Sequence, residues 1–228
     1  MLFEWDANAE AYKFWNKKTR ARISDPRKRD IVAPEKAPHS FGTKRPSLEQ
    51  NWYEIIDKPN NDVVDINNET GTPVKEVSEK GIITSDGKER EFDIIVLATG
   101  FDSVTGGMKN MGLKNIHGKT VEDHWAQGTM TSMGMCMSGM PNMFFLYGAH
   151  GPTAFSNGPS CVELQGEWIV DAIKKMREDG ITYLEASVEG EKYWHDLVKE
   201  INDKTLFPFT KSWYMGKLTH SGRWIDLC

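Results

Sequence analysis

The chain has 228 residues, 39% of them hydrophobic and 27% charged, and its formal net charge is -5. This length can bury a sizeable core, and the acidic balance gives no general reason to expect nucleic acid as a partner. No apolar run approaches the ~20 residues that cross a bilayer, and the N-terminus lacks the pattern of a signal peptide, so we expect a cytoplasmic protein. The three cysteines lie far apart and the six histidines lack ligand spacing, which favours free thiols and no metal site.

The first part of the chain predicts a helix followed by a long irregular loop. Apolar residues recur at helical spacing over residues 7–23, and Ser24-Asp25-Pro26 ends the pattern. The run Arg27-Lys28-Arg29 predicts a solvated basic face. Residues 33–46 contain three prolines and one glycine, which indicates irregular backbone. Lys44-Arg45 near its end is by itself typical of a solvated pair, but a stiff loop could aim both cations at a phosphate or an anionic intermediate.

The middle of the chain predicts strands. Residues 62–66 fit a short parallel strand, and residues 74–91 fit an antiparallel meander with a turn at Asp86-Gly87. Ile94–Leu97 are four consecutive aliphatic residues, which predict a strand buried on both faces. It stops on Ala98, Thr99 and Gly100, small residues that let a ligand approach the backbone, although a plain glycine turn is the alternative. The order suggests a Rossmann-like domain at the level of fold alone.

Residues 103–160 combine packing residues with turns. Seven methionines between Met108 and Met140 indicate loop and packing. The apolar run at 142–148 predicts a second buried strand. The Gly/Pro-rich loop that follows leads into a helix, which suits a phosphate or the polar edge of a cofactor ring as well as an ordinary turn.

The last part of the chain predicts two long helices and an aromatic tail. Helical spacing extends over residues 160–178 and again over 188–204. His195 on the second helix is predicted to be a surface residue. Trp213 in the tail is expected either to cover the core or to stack on an aromatic ring.

Six pieces of sequence stand in the order and at the spacing of a known family, across roughly residues 7 to 216. They are SFGTKRP (40–46), NWYEIID (51–57), DIIVLATGFDSVTG (93–106), PNMFFLYGAHGPTAFSNGPS (141–160), ELQGEWIVDAI (163–173) and TLFPFTKSWYMG (205–216). The chain therefore resembles the C-terminal part of a Baeyer–Villiger monooxygenase, a flavoprotein that uses FAD and NADPH. The resemblance implies an α/β fold class: an incomplete C-terminal part of a flavoprotein with two Rossmann-like dinucleotide-binding domains, an antiparallel meander and C-terminal helices.

The resemblance also implies domain boundaries and roles for the cofactor contacts. Residues 1–46 would hold the end of the NADP domain, a linker helix and the catalytic loop. Residues 47–216 would be part of the FAD-binding domain and residues 217–228 a divergent tail. Arg45 would be catalytic, because the arginine of the family's KR pair stabilises the negatively charged flavin peroxide. Lys44 would contact the 2′-phosphate of NADPH.

Further site residues follow from the same resemblance. Trp213 would pack on the nicotinamide nucleotide, and Ala98, Thr99 and Gly100 would lie near the two nucleotide sites. The loop before the first long helix would line the substrate pocket and touch the flavin. Its expected members are Thr153, Ala154 and Phe155 in the substrate pocket and Gly158 at the cofactor.

The chain departs from the family at both ends. It contains neither GxGxxG nor FxGxxxHxxxW, which the family carries upstream, so Met1 is expected to be an internal start. After Gly216 the sequence KLTHSGRWIDLC replaces the family's Asn-x-Pro-Gly-Lys run, which suggests a truncated product or an imperfect gene model.

The implied reaction inserts one oxygen atom of O2 next to a ketone carbonyl and gives an ester or lactone. FAD carries the oxygen chemistry and NADPH the reduction. Two alternatives stay open: a related flavin monooxygenase acting on nitrogen or sulfur, and a non-catalytic nucleotide-binding fragment.

Overall fold

The computed structural model describes residues 1–100, 104–151 and 156–215, without the side chain of Trp213. The chain divides into two compact units. The first unit consists of Met1–Asn8, His39–Pro46 and Phe101–Cys228, and the second of Ala9–Pro38 and Ser47–Gly100. None of the helices within the described ranges has the length and hydropathy of a membrane span.

Three helices precede the sheet. They are α1 (Trp5–Arg20), α2 (Pro26–Val32) and α3 (Trp52–Ile56), so the helix predicted over residues 7–23 is confirmed. Asp25 caps α2, because its side chain accepts hydrogen bonds from the backbone N–H groups of Arg27 and Lys28.

The predicted solvated face of α2 is wrong at Lys28, which is only 3% exposed. Its Nζ donates to the carbonyl oxygens of Ile56 and Lys58, both at 2.9 Å. These carbonyls lie at the end of α3, where unpaired carbonyl groups and the helix dipole favour a cation. Backbone oxygens therefore replace water around the ammonium. Through these hydrogen bonds Lys28 links α2 to the end of α3 within the second unit.

The predicted meander is confirmed as a three-stranded antiparallel sheet in the second unit. Its strands are β1 (Val74–Val77), β2 (Gly81–Thr84) and β3 (Glu89–Glu91), in the order β1-β2-β3. The turn between β2 and β3 contains Gly87, whose φ of 78° is left-handed and favours glycine.

The strand predicted at Ile94–Leu97 is wrong. In the described part of the chain, regular strands occur only in the meander. Ile94, Val96 and Leu97 are 80%, 81% and 78% exposed. Four aliphatic residues indicate a preference for burial, but a strand also needs neighbours that pair with its N–H and C=O groups.

The strands predicted at 62–66 and 142–148 are also wrong, because neither range forms a strand in the described chain. The Val63 carbonyl accepts a hydrogen bond from the Arg27 guanidinium at 2.7 Å. In the later run, Asn142 and Tyr147 have φ values of 57° and 55°, which are incompatible with a strand. Short apolar runs indicate burial without deciding between a strand and an irregular segment.

The core of the first unit is built around a short helix and the methionine-rich segment. Two short helices lie in this part of the chain, α4 (Gly106–Asn110) and α5 (Val121–His124), and α5 contributes Val121 to the core. Trp125 is 1% exposed, and its indole N–H donates to the carbonyl oxygen of Met130 at 2.7 Å. The predicted packing role is confirmed for Met135, Met137 and Met140, which are buried, but not for Met111, which is 62% exposed. The buried cluster consists of Val121, Trp125, Met137, Met140 and Ala149.

Two long helices follow, as predicted: α6 (Gly158–Glu178) and α7 (Val188–Asp203). Asn157 caps α6 and Ser187 caps α7, each with a side-chain oxygen that accepts a backbone N–H. Two 3-10 helices, Phe207–Phe209 and Trp213–Met215, close the described chain.

A buried carboxylate fixes helix α7 to the methionine-rich segment within the first unit. Glu191 is 2% exposed, and its two oxygens accept hydrogen bonds from the backbone N–H and the hydroxyl of Ser138, both at 2.7 Å. His124 Nε2 lies 3.2 Å from Glu191 Oε1. Three polar groups therefore satisfy a charge whose burial would otherwise be costly.

Candidate functional site

The loop that carries Lys44 and Arg45 belongs to the first unit and is held at two points. The first is Asn8, which is 4% exposed. Its Oδ1 accepts a hydrogen bond from the Phe41 N–H, and its Nδ2 donates to the Phe41 carbonyl, both at 2.8 Å. Between the two points, Gly42 has a φ of 86°, and a Cβ there would lie 3.1 Å from Met1 Cε. Any other residue would be strained at this turn.

The second point is Thr43, which is fully buried. Its hydroxyl donates to the Ser40 carbonyl at 2.6 Å and lies 2.7 Å from the hydroxyl oxygen of Thr210. Because the single Thr43 proton is used toward Ser40, the Thr210 hydroxyl is the donor between the two threonines. The residue immediately before the cation pair is therefore fixed by directional hydrogen bonds.

Lys44 and Arg45 themselves are exposed. Within the residues that the structure describes, neither side chain forms a hydrogen bond or an ion pair. The neighbouring His39 is half-buried, and burial together with the Lys44 ammonium lowers its pKa, which favours the neutral imidazole. Two cations on a fixed loop, with no partner among the described side chains, are suited to bind an anionic ligand, with Arg45 offering a planar fork and Lys44 a point charge.

The other predicted site residues stand in three places. Gly158 begins α6, and a Cβ there would lie 3.8 Å from the Tyr147 ring. Trp213 begins the last 3-10 helix, and its side chain is outside the described residues, as are Thr153, Ala154 and Phe155. Ala98, Thr99 and Gly100 belong to the second unit, where they are exposed and outside any strand. Their cofactor and substrate roles stay predictions.

Sequence reasoning missed the residues that hold the loop. Thr43 stands inside the GTKRP piece, but its hydroxyl carries no recognisable signal of burial. Asn8 and Thr210 lie 33 and 167 positions from their partners. No periodicity or motif links such distant positions in one sequence.

The predicted exposure of His195 is also wrong, because its ring packs against a second histidine. His195 is half-buried, and its Nδ1 lies 3.2 Å from the Thr129 carbonyl oxygen. Its ring centroid is 5.5 Å from that of His150, which is 6% exposed. Burial, and secondarily the neighbouring His195, lower the pKa of His150 to about 4.

This burial makes stability depend on pH. The folded pKa of His150 is about 4, below the ordinary value of 6.5, so the unfolded chain binds the proton more readily. The contribution of His150 is complete above about pH 6.5 and is lost as the pH falls toward 4. We expect the free energy of unfolding to fall by about 2 kcal/mol between pH 7 and pH 5 through this residue.

Urea unfolding of the wild-type chain and the His150→Gln variant at both pH values checks this expectation. Between pH 7 and pH 5, the free energy of unfolding of the variant should fall by about 2 kcal/mol less than that of the wild type. His117→Gln is the matched control, because His117 is exposed and should leave the pH dependence unchanged. An equal loss in wild type and His150→Gln would contradict the assignment.

The described residues contain no group of three or more histidine, cysteine or acidic side chains that could hold a metal ion. Cys136 and Cys161 are free thiols.

Comparison of the sequence and fold with known proteins finds relatives among the monooxygenases. The chain is 45% identical over 215 residues to cyclopentanone 1,2-monooxygenase of Comamonas sp. (strain NCIMB 9872), covering 94% of this chain and 38% of that enzyme. It is 36% identical over 210 residues to a Baeyer-Villiger monooxygenase of Pseudooceanicola batsensis, covering 92% and 37%. The solved structure of OTEMO in complex with FAD and NADP matches with a TM-score of 0.86 and 33% identity, covering 96% of this chain and 40% of that one. No family model matches the chain.

These matches confirm the predicted fold class: the chain is part of an α/β flavin-dependent monooxygenase. Within that class it corresponds to a C-terminal portion of the Baeyer–Villiger monooxygenases and FAD-binding monooxygenases that it matches. The chain spans about 38% of the length of its relative from Comamonas.

Proposed function

We propose that this chain supplies the C-terminal portion of an FAD- and NADPH-dependent enzyme that inserts oxygen next to a ketone carbonyl and forms an ester or lactone. The observation that carries the proposal is the pair Lys44-Arg45, two exposed cations on a buried, hydrogen-bonded support. Relatives named for cyclopentanone and acetone oxidation support a ketone as the substrate class.

The two cations fit the charges that the cofactors would bring. Lys44 would hold the 2′-phosphate of NADPH, since an ammonium with no partner in the described ranges gains a charge-assisted contact there. When bound, FAD supplies the oxygen chemistry and NADPH the reducing equivalents. Arg45 would stabilise negative charge that develops on oxygen during the reaction, because a guanidinium keeps its proton at any working pH.

The remaining assignments belong to the same proposal. They comprise the end of an NADP domain with a linker helix and the catalytic loop in residues 1–46, part of an FAD domain in 47–216 and a divergent tail in 217–228. Trp213 would pack on the nicotinamide, and Thr153–Gly158 would line the substrate pocket. A cytoplasmic location is supported by the free thiols of Cys136 and Cys161.

The test uses a chimeric enzyme, in which the 228-residue chain replaces the matching part of the cyclopentanone 1,2-monooxygenase. We expect it to bind FAD and to oxidise NADPH in a ketone-dependent way, with lactone as the product of a cyclic ketone. The chain by itself is expected to purify colourless, because it has no GxGxxG fingerprint for a pyrophosphate.

Each alternative has its own outcome in this experiment. A chimera that oxygenates a thioether or an amine but no ketone would favour the nitrogen- or sulfur-oxygenating class. A folded chimera without bound flavin would favour a non-catalytic nucleotide-binding fragment. Stoichiometric FAD and ketone oxidation by the 228-residue chain alone would contradict the need for the remaining sequence.

A further inference from the structure

The hydroxyl pair of Thr43 and Thr210 joins two segments of the first unit that the proposed function assigns to one cofactor. Both residues are buried, and their oxygens are 2.7 Å apart although 167 positions separate them in sequence. Thr43 immediately precedes Lys44. Thr210 lies three positions before Trp213, between the two 3-10 helices.

The segment around Thr210 is itself fixed on both sides. The Thr210 N–H donates to the Phe207 carbonyl at 2.9 Å, and the Leu206 N–H donates to the Leu2 carbonyl at 2.8 Å. Because Asn8 holds Phe41, the N-terminal residues support the cation loop and the 3-10 segment together. The hydroxyl pair is a direct side-chain link between these two supported segments.

The chemistry of the pair favours positioning over simple packing. Valine has nearly the shape of threonine and would fill the same space, so packing alone does not require a hydroxyl at either position. Two hydroxyls facing each other in a dry site are directional and leave an unpaired polar group if one is removed. The pair therefore specifies one relative placement of the two backbones.

We infer that Thr43 and Thr210 are positioning residues that set the place of Lys44 and Arg45 relative to the 3-10 helix that begins at Trp213. The inference rests on the proposed function, in which both segments contact NADPH. Loosening either threonine releases the ammonium from its place at the 2′-phosphate. The preference for NADPH over NADH should then fall, and NADPH oxidation should be less tightly coupled to ester formation.

The activity test uses the chimeric enzyme with Thr43→Val, Thr210→Val and the double variant. Each single change is expected to lower the ratio of kcat/KM for NADPH to kcat/KM for NADH by about 10-fold. The double variant should fall no further than either single one, because the two hydroxyls act as one contact. Thr43→Ser keeps the hydroxyl and should retain the ratio.

Thr205→Val is the matched control for loss of a buried hydroxyl on the same segment. Thr205 is 8% exposed, and its hydroxyl donates to the Asn202 carbonyl at 2.7 Å and accepts the Phe207 N–H at 3.2 Å, both within its own segment. It should lower stability without changing the cofactor ratio. An unchanged ratio in both valine variants at positions 43 and 210, or an equal change in Thr205→Val, would overturn the inference.

A second measurement separates this inference from the proposed function. Hydrogen exchange of residues 39–46 in the 228-residue chain needs no cofactor. Thr210→Val should speed exchange in this peptide at least severalfold, whereas Thr205→Val should not. Inactivity of the wild-type chimera would defeat the proposed function alone; unchanged exchange in Thr210→Val would defeat the inference whatever the chimera does.

Discussion

Replacing Arg45 by alanine in the chimeric enzyme is expected to lower the rate of ester formation by ~10²–10³-fold and to leave reduction of the flavin by NADPH intact. Attack on a ketone carbonyl builds negative charge on oxygen, and in the proposed role the Arg45 guanidinium would hold that charge without giving up a proton. The loop that carries it is already fixed through Thr43, so little reorganisation is needed during the reaction.

Stopped-flow absorbance of the two half-reactions measures this effect, together with the yield of ester and of hydrogen peroxide. The Arg45→Ala variant should bleach under anaerobic conditions at the normal rate and then release hydrogen peroxide once oxygen is admitted. Arg45→Lys should recover little activity, because an ammonium lacks the planar fork. Arg177→Ala changes another exposed arginine and should leave both half-reactions unaltered. Normal ester formation in Arg45→Ala would remove the residue from catalysis.

The second large effect is expected at Lys44, in the choice of reductant. Lys44→Ala should raise the KM for NADPH by about 10- to 100-fold, because it removes a charge-assisted contact to the 2′-phosphate. NADH has no such phosphate, so its kinetic constants should hardly change. The measurement is steady-state kinetics of the chimeric enzyme with each nucleotide at saturating ketone.

Lys36→Ala provides the control for this prediction, since Lys36 is an exposed lysine on the same irregular stretch of sequence. It should change neither KM. If Lys44→Ala weakens NADPH and NADH equally, then Lys44 supports the loop rather than the phosphate. Raising the ionic strength should reduce the wild-type preference for NADPH, because an exposed ion pair is screened by salt.

Helices and the meander could be predicted from sequence because their signals are local. The helical spacing over 160–178 comes with a capping asparagine at 157, and the meander has its glycine turn at 87. Ile94–Leu97 shows the limit of this approach. Its apolar run predicted burial, yet pairing depends on other strands that no local pattern reveals.

The candidate site likewise contains residues that the sequence could predict and residues that only the fold reveals. Lys44 and Arg45 could be found because prolines and a glycine mark their loop and because GTKRP belongs to a recognisable piece. The support beneath them depends on Asn8 and Thr210, whose partners are distant in sequence. Buried charges such as Lys28 look identical in sequence to solvated ones, because only the fold supplies the carbonyl groups that satisfy them.

The support of the loop uses nothing from the side chains of Lys44 and Arg45. Asn8 binds the backbone of Phe41, and Thr43 binds the Ser40 carbonyl and Thr210. Positions 44 and 45, which the proposed function assigns to the cofactors, can therefore vary while the hydrogen bonds that hold the loop stay the same. A change in cofactor preference then need not destabilise the fold. A combinatorial library restricted to positions 44 and 45 would sample new nucleotide preferences with little loss of folded protein.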